Sequence, residues 1–166
     1  EMFYGLKVPL VLCSTLIRRV DTNFLRKWKY NYKGIKKIIC VSEPVVNVLK
    51  FAVKDHSKLC VVGSVTDINK FKKQSKTGIL HQEFNIPDDY KIIGNIAEFT
   101  GFKDHKTWIN TVAELVKRGV KAKYILVGKG SLENEVREHV ASLGLQNDII
   151  FAGFRKDIPE ILPEFD

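Results

Sequence analysis

The segment GNIAEFTGFKDHK, residues 94–106, combines residue types that can bind an anion. It places Lys103, Asp104 and His105 between an apolar run and an amphipathic run. If these runs are a strand and a helix, the lysine ammonium stands beside free backbone N–H groups and the positive end of the helix dipole. Such an arrangement is typical of a phosphate-binding loop. The alternative is a solvent-facing turn in which Asp104 and His105 only start the helix.

Two further glycine loops follow apolar runs later in the chain. LVGKGSLENEV carries Gly128 and Gly130 before a helical pattern, and FAGFRKDIP carries Gly153 and Arg155. Gly-x-Gly without a third glycine is not the dinucleotide fingerprint, and a tight turn with Ser131 as the helix N-cap explains the first loop as well. Because three successive apolar runs each end in a glycine and a cation, we expect their loops to line one cleft.

The composition is that of a folded protein with an anionic partner. The 166 residues are 45% hydrophobic and 28% charged, which is ordinary for a globular domain. The net charge of +8 indicates a nucleotide, nucleic acid, phospholipid surface or phosphorylated substrate without choosing among them. No apolar stretch approaches the roughly 18 residues that span a bilayer, and the N-terminus lacks a signal-peptide layout. We expect a cytoplasmic protein, with a peripheral position on the inner face of the membrane as an alternative.

The cysteines and histidines do not form a metal-binding pattern. Three cysteines lie far apart, and we expect them to be small buried hydrophobic residues in a reducing compartment. Histidines at widely separated positions are expected in solvent or on helix surfaces, with His105 as the exception that is a candidate for ligand contact. The residues are Cys13, Cys40, Cys60, His56, His81, His105 and His139.

An early segment interleaves aromatic and basic residues. In IRRVDTNFLRKWKYNYKGIKK, Trp28, Tyr30 and Tyr32 alternate with Arg and Lys. This mixture can indicate nucleic-acid binding. We favour an exposed amphipathic helix with buried aromatic residues, and the main alternative is a helix that binds an anionic membrane surface.

Apolar runs alternate with helical patterns along the chain. Strands that are apolar throughout and alternate with helices predict an α/β fold with Rossmann-like parallel sheets and helices on both faces. A polar connector near residues 63–75 divides the chain into two α/β pieces. The predicted strands are 8–13, 35–41, 58–62, 91–97, 123–128 and 148–153, and the predicted helices are 24–33, one that starts after Ser42, 77–84, 105–118, 131–143 and 157–163.

Several ordered blocks resemble the second half of a family 4 (group 1) retaining glycosyltransferase. They are IICVSEPVVNVL, DINKF, KIIGNIAEFTGFKDHKTWINTVAEL and KYILVGKGSLENEVREHVASLGLQNDIIFAGFRKDIPEIL. The resemblance implies the GT-B fold, in which two Rossmann-like domains face each other and the C-terminal one holds most of the nucleotide-sugar donor. Residues 1–66 then correspond to the end of the acceptor-side domain with its linker, and residues 67–166 to the first part of the donor-binding domain.

The resemblance also implies which residues contact the donor. Lys103 falls at the position of a lysine that binds the donor diphosphate, whereas the family's arginine position falls on Glu98, which would repel a diphosphate if it pointed inward. Candidates for further phosphate or acceptor contacts are Arg18, Arg19, Lys106 and His105. The glycine turn beside the donor pocket corresponds to Gly128 and Gly130, and the stretch near the base corresponds to Gly153, Phe154 and Arg155. No catalytic residue is assigned.

The activity implied is transfer of a sugar from a nucleotide-sugar donor to a glycan or lipid-linked acceptor, with retention, in surface polysaccharide synthesis. No metal or cofactor is expected, because a lysine and helix dipoles supply positive charge and no Asp-x-Asp occurs. The family's two glutamates eight positions apart would follow Asp166, so we expect a fragment that is inactive alone.

Two other classes of function remain as alternatives. One is a GT-B sugar-nucleotide epimerase or another Rossmann-like nucleotide-binding module. The other is a basic domain that binds nucleic acid or membrane, which rests on net charge alone. Under the favoured interpretation we expect no nucleic-acid partner.

Overall fold

The computed structural model describes residues 8–15, 24–71 and 75–166, except for the side chain of Arg26. The chain forms two compact units, Glu1–Thr66 (unit 1) and Asp67–Asp166 (unit 2). The boundary falls inside the polar connector. The assignment of these units to an acceptor-side and a donor-binding domain stays a prediction.

Unit 1 contains a three-stranded parallel sheet in the order β1-β2-β3. Helix α2 begins directly after Ser42 with Pro44 in its first turn, as the sequence predicts, although the Ser42 side chain makes no capping hydrogen bond. The elements are β1 (Leu10–Ser14), α1 (Phe24–Tyr30), β2 (Ile35–Cys40), α2 (Glu43–Leu49) and β3 (Leu59–Val61).

The core of unit 1 forms between β2 and α2. Tyr30 and Tyr32 pack against it, but Trp28 stays exposed, so the expectation of buried aromatic residues is right for the tyrosines and wrong for the tryptophan. The buried members are Ile35, Ile38, Cys40, Val45, Val46, Leu49 and Val53.

The cysteines of unit 1 are free, and only one is fully buried. Cys40 lies in the core, where burial raises the pKa of its thiol. Cys13 is exposed, so its expected burial is wrong. The reason is that β1 alternates half-buried and exposed positions, as a strand covered on one face does, and Cys13 points to the open side with Val11.

Unit 2 contains a second parallel sheet, in the order β4-β5-β6. A short 3-10 helix follows the last α-helix. The elements are α3 (Ile79–Glu83), β4 (Lys91–Ile96), α4 (His105–Lys117), β5 (Ala122–Val127), α5 (Glu133–Ser142), β6 (Ile149–Gly153), α6 (Ile158–Ile161) and the 3-10 helix Leu162–Glu164. Within the described ranges, no helix has the length and apolar character needed to cross a membrane.

The central strand β5 is buried on both faces of the unit 2 sheet. Tyr124 and Leu126 belong to one core, which α4 and α5 cover, while Ile125 and Val127 belong to the other, which receives residues of α3 and α6. This alternation follows from the period of two along a strand. Parallel sheets with helices on both faces were predicted from the uninterrupted apolar runs, and unit 2 confirms the Rossmann-like fold class.

A buried carboxylate joins the two ends of unit 2. Glu164 is 1% exposed and accepts hydrogen bonds from the backbone N–H of Thr77 at 2.6 Å, the Thr77 hydroxyl at 2.9 Å and the backbone N–H of Gly78 at 3.0 Å. These three hydrogen bonds replace the water that the carboxylate loses on burial, because a buried charged group is costly unless it is hydrogen-bonded. The residues before α3 are thereby held to the 3-10 helix.

We expect Glu164→Ala to lower the free energy of unfolding of unit 2 by about 2–3 kcal/mol, because it leaves two backbone donors without an acceptor. Glu160→Ala is the control, since Glu160 is exposed in the same segment and should change stability by less than about 0.5 kcal/mol. Urea unfolding is followed by the fluorescence of Trp108 in a Trp28→Phe background, which leaves one tryptophan. Equal stability of the two variants would contradict this role.

Candidate functional site

Three loops meet at the carboxyl edge of the unit 2 sheet. They follow the adjacent parallel strands β4, β5 and β6, so their starts lie side by side. The backbone N–H of Ala97 donates to the Val127 carbonyl at 2.9 Å, and that of Gly128 donates to the Gly153 carbonyl at 2.8 Å. The structure therefore brings the three predicted glycine loops together at one edge.

The glycines after β5 are required by a close approach of the loop after β4. A Cβ on Gly128 would overlap the Ala97 carbonyl oxygen, and a Cβ on Gly130 would overlap that of Phe99. The backbone N–H of Phe99 donates to the Lys129 carbonyl at 3.1 Å, and that of Leu132 donates to the Phe99 carbonyl at 3.1 Å. Two loops thus touch backbone to backbone.

The N-cap role considered for Ser131 is wrong. Helix α5 begins at Glu133, two residues later than predicted, and Leu132 occupies the cap position without a side-chain hydrogen bond. The close approach of the loop after β4, rather than a capped tight turn, explains the glycines.

Asp104 starts helix α4. It has φ 46° and ψ 51°, a left-handed conformation that Asp tolerates better than most residues. Its side chain accepts a hydrogen bond from the backbone N–H of Thr107 at 3.3 Å. The helix-start role for Asp104 is confirmed, and the backbone turn leaves Phe102 and Lys103 on the exposed surface of the loop.

His105 lies beneath this loop rather than on it. Its side chain is 4% exposed, its ring packs against Phe99 with a centroid distance of 4.7 Å, and its Nε2 has no hydrogen-bond partner among the described residues. Burial lowers the pKa of the imidazole; Asp104 opposes this shift by raising the pKa, and Lys103 has a smaller effect that lowers it. His105 therefore supports the loop as a neutral ring, and its contact with a ligand stays a prediction.

The guanidinium of Arg155 is already engaged. It forms ion pairs with Asp157, at 2.6 Å, and with Glu83. Hydrogen bonds to these two carboxylates raise the pKa of Arg155 further above its usual value. The pairs tie the end of α3 to the loop after β6, whereas the neighbouring Phe154 is exposed. The base-side roles of Phe154 and Arg155 stay predictions, and Phe154 is the sterically accessible member.

Lysines at the two ends of the unit 2 sheet differ in pairing. At the amino end, Lys91 pairs with Asp166 at 3.1 Å and Lys121 with Asp89 at 3.0 Å. At the carboxyl edge, exposed lysines have no ion pair within the part of the chain that the structure describes. These edge lysines are Lys103, Lys106, Lys129 and Lys156.

Lys103 and Lys106 were predicted from the sequence as candidate contacts, whereas Lys129 was counted only as the cation of its loop and Lys156 was missed. A signal was present, since Lys129 and Lys156 lie two and three residues beyond the ends of β5 and β6. Position after a strand end, rather than a motif, identifies them.

Backbone donors accompany the edge lysines. The N–H groups of Lys129, Gly130 and Ser131 donate to no acceptor in the described ranges. They precede α5, and the dipole of that helix adds positive potential at its start. Together the ammonium groups and N–H groups form a surface suited to an anion with several oxygens.

The structure does not test the predictions for the remaining candidate residues. Arg18 and Arg19 lie outside the described residues. Glu98 is exposed, and whether it faces a bound ligand stays a prediction. In the described ranges, no cluster of three or more His, Cys, Asp or Glu residues is arranged to hold a metal ion.

Two parallel α/β sheets with a cationic, glycine-rich carboxyl edge define a Rossmann-like protein of the GT-B type. Residues 76–166 match the family model described as Glycosyl transferases group 1, which is more than half of the chain. The chain belongs to this family.

Two curated relatives are similar to most of this chain. An uncharacterized glycosyltransferase of Methanocaldococcus jannaschii, MJ1059, is 28% identical over 131 residues, covering 78% of this chain and 32% of the relative. Alpha-monoglucosyldiacylglycerol synthase of Streptococcus pneumoniae is 25% identical over 134 residues, covering 75% of this chain and 30% of the relative.

The fold is similar to that of HepE (Alr3699) from Anabaena, solved in complex with UDP-glucose. The TM-score is 0.79 at 21% identity, covering 95% of this chain and 45% of HepE. The chain thus spans less than half of this structure and about a third of the two curated relatives.

We expect Gly130→Ala to disrupt the contact between the loops after β4 and β5. The new Cβ meets the backbone of Phe99, which cannot rotate away, so we expect a loss of about 1–3 kcal/mol in the free energy of unfolding. Gly101→Ala is the control, because Gly101 lies in the loop after β4 and has open space around its Cβ position. Urea unfolding measures both variants, and a neutral Gly130→Ala would disprove the close approach.

We expect the buried His105 to make unit 2 less stable in acid. A pKa that is lower in the folded state means that the unfolded state binds the proton more readily, so stability is highest above the unfolded pKa of about 6.5 and falls as pH decreases. The loss is at most about 1.4 kcal/mol per pH unit.

His105→Leu should remove this loss, whereas His139→Gln, a change on the half-buried His139 of α5, should keep it. Unfolding free energies between pH 7.5 and 5 test the difference. The same slope in wild type and His105→Leu would rule out this residue as the cause.

Proposed function

We propose that the protein to which this chain belongs is a retaining glycosyltransferase. It transfers a sugar from a nucleotide-sugar donor to a glycan or lipid-linked acceptor in the synthesis of a surface polysaccharide or glycolipid. Unit 2 contributes the binding site for the donor diphosphate. Retention follows from the resemblance to the group 1 family.

The observation that carries the proposal is the set of edge lysines without carboxylate partners. An unpaired cluster of like charges is unfavourable unless a ligand of opposite sign compensates it. A diphosphate supplies several anionic oxygens within a short distance, and each charge-assisted hydrogen bond contributes about 1.5–3 kcal/mol. The free N–H groups of Lys129, Gly130 and Ser131 provide further donors beside these lysines.

The proposed chemistry uses this positive charge at the leaving group. When the sugar–phosphate bond breaks, the nucleoside diphosphate gains negative charge, so cations that bind it lower the barrier. Lys103 is the principal cation, and no metal ion or cofactor is part of the proposal. Glu98 opposes binding if it faces the diphosphate, and Lys106, Lys129 and Lys156 offset it.

Two relatives support the substrate class. HepE has been solved with UDP-glucose, which makes a uridine diphosphate sugar the first donor to test. The name of the pneumococcal relative denotes the synthesis of a glycosylated diacylglycerol. A lipid-linked acceptor would place the intact protein in the cytoplasm, peripheral to the inner face of the membrane.

We expect UDP to bind this chain weakly and Lys103→Ala to weaken that binding about tenfold, because a charge-assisted hydrogen bond is lost. Added salt should reduce the affinity of the wild type more steeply than that of the variant. Isothermal titration calorimetry measures both.

The control is Lys117→Ala, which removes a lysine from the C-terminal end of α4, the helix that follows the Lys103 loop; there the Lys117 ammonium lies 4.0 Å from a carboxylate oxygen of Glu114. It should leave UDP affinity unchanged. Glu98→Arg should increase the affinity by restoring the arrangement implied by the family resemblance. Equal affinity of wild type and Lys103→Ala would mean that the loop after β4 is only a turn.

A further inference from the structure

The whole net charge of the chain belongs to unit 1. Residues 1–66 contain twelve Lys and Arg against four Asp and Glu, whereas residues 67–166 contain fifteen of each. Unit 1 therefore carries +8 and unit 2 is neutral. A donor site in unit 2 does not account for this charge, so unit 1 has a separate reason to be basic.

Helix α1 exposes large apolar side chains. Phe24 is 78% exposed and Trp28 is 44% exposed. They are four residues apart and therefore lie on one face of the helix. Tyr30, about 200° around the helix from Trp28, packs against the unit 1 core instead. The helix is thus anchored by one side and presents aromatic residues on the other.

Lysines border this aromatic face. Lys27 and Lys29 lie about 100° to either side of Trp28 around the helix axis, and both are exposed. Neither forms an ion pair within the part of unit 1 that the structure describes. An apolar stripe flanked by lysines, with tryptophan in it, is the pattern of a helix that lies in a lipid–water interface. We call Phe24, Lys27, Trp28 and Lys29 the α1 face.

We propose that the α1 face binds an anionic phospholipid surface. Phe24 and Trp28 enter the boundary between headgroups and acyl chains, and Lys27 and Lys29 contact the lipid phosphates. The charge of unit 1 is complementary to such a surface and attracts it over a Debye length. This interaction does not depend on the donor site.

The α1 face fits lipid better than the other anionic or apolar partners. A second copy of unit 1 would bring two surfaces of charge +8 together, which opposes self-association. A nucleic acid would neutralise the lysines, but a duplex backbone offers no apolar phase for Phe24. A phospholipid surface satisfies both the aromatic and the basic side chains.

Vesicle flotation with the full 166-residue chain tests the proposal. We expect binding to vesicles of phosphatidylcholine mixed with phosphatidylglycerol, and little binding to phosphatidylcholine alone. Phe24→Ser should weaken binding about tenfold, because a phenylalanine no longer leaves water. Phe51→Ser is the matched control, since Phe51 is also 78% exposed in unit 1 but lies outside α1.

A charge variant separates the α1 face from the general charge of unit 1. Removing Lys27 and Lys29 together, as Lys27→Gln with Lys29→Gln, should weaken vesicle binding more than tenfold, at about fivefold per lysine. Lys36→Gln with Lys54→Gln removes the same charge from other exposed positions of unit 1 and should weaken it less.

Tryptophan fluorescence reports insertion directly. The emission of Trp28 should shift to shorter wavelength on anionic vesicles, and the shift should vanish in Trp28→Phe. Trp108 is an internal reference, because it packs edge-on against Tyr124 in unit 2.

Four outcomes would overturn the proposal. The first is the absence of binding to anionic vesicles. The second is equal loss of binding in Phe24→Ser and Phe51→Ser, which would indicate charge attraction alone. The third is equal binding to single-stranded DNA without a fluorescence shift, which would indicate the same. The fourth is self-association in lipid-free solution that Phe24→Ser abolishes, which would make the α1 face a contact between copies.

Discussion

The contact between Phe99 and the glycine turn after β5 determines the geometry of the carboxyl edge in unit 2. Two backbone hydrogen bonds hold the loop after β4 to that turn, and the space they leave accepts no side chain at Gly128 or Gly130. The ring of Phe99 packs against the rings of His105 and Phe151, and its centroid lies 6.2 Å from that of Phe151. The same residue therefore joins the surface loops to the core. Three of the edge lysines lie in loops that this contact, or the strand pairing beside it, fixes, and the fourth, Lys106, lies in the first turn of α4. The proposed anion site therefore depends on the packing of the backbone more than on any one side chain.

Electrostatics divide the chain into two different surfaces. Unit 2 is neutral overall, yet several of its carboxylates form ion pairs elsewhere, such as Asp157 with Arg155 and Asp166 with Lys91, and the edge lysines have no ion pair among the described residues. Unit 1 is basic as a whole, with few carboxylates to pair. The first pattern suits a compact polyvalent anion, and the second suits an extended anionic surface. Net charge alone hides this difference, because the two units contribute to it unequally.

Hydrophobic periodicity predicted the fold well, since continuous apolar runs such as that of β5 are specific for strands buried on both faces. Periodicity failed at β1, where Cys13 and Val11 are exposed, because a sequence run does not reveal whether a neighbouring layer covers both faces. Lys103 was predicted because it lies between a strand end and a helix start and at a lysine position of the family, and Asp104 because it is an ordinary helix-capping residue. The ion pair of Arg155 with Glu83 was not predictable, since Glu83 lies 72 residues earlier in the chain. Glu164 was missed for the same reason, as its partners are set by tertiary structure alone.

The bonds from Glu164 to Thr77 and Gly78 have a consequence for the order in which the chain folds. They join positions 87 and 86 residues apart, so the start of unit 2 cannot be secured until nearly all of that unit has left the ribosome. The parallel pairing of β1, β2 and β3, by contrast, is complete by residue 61. Contacts of long sequence separation are slow to form, because the loop entropy is lost before they contribute. During synthesis, unit 1 can form its sheet before Glu164 is available to bind Thr77 and Gly78, the residues that precede α3.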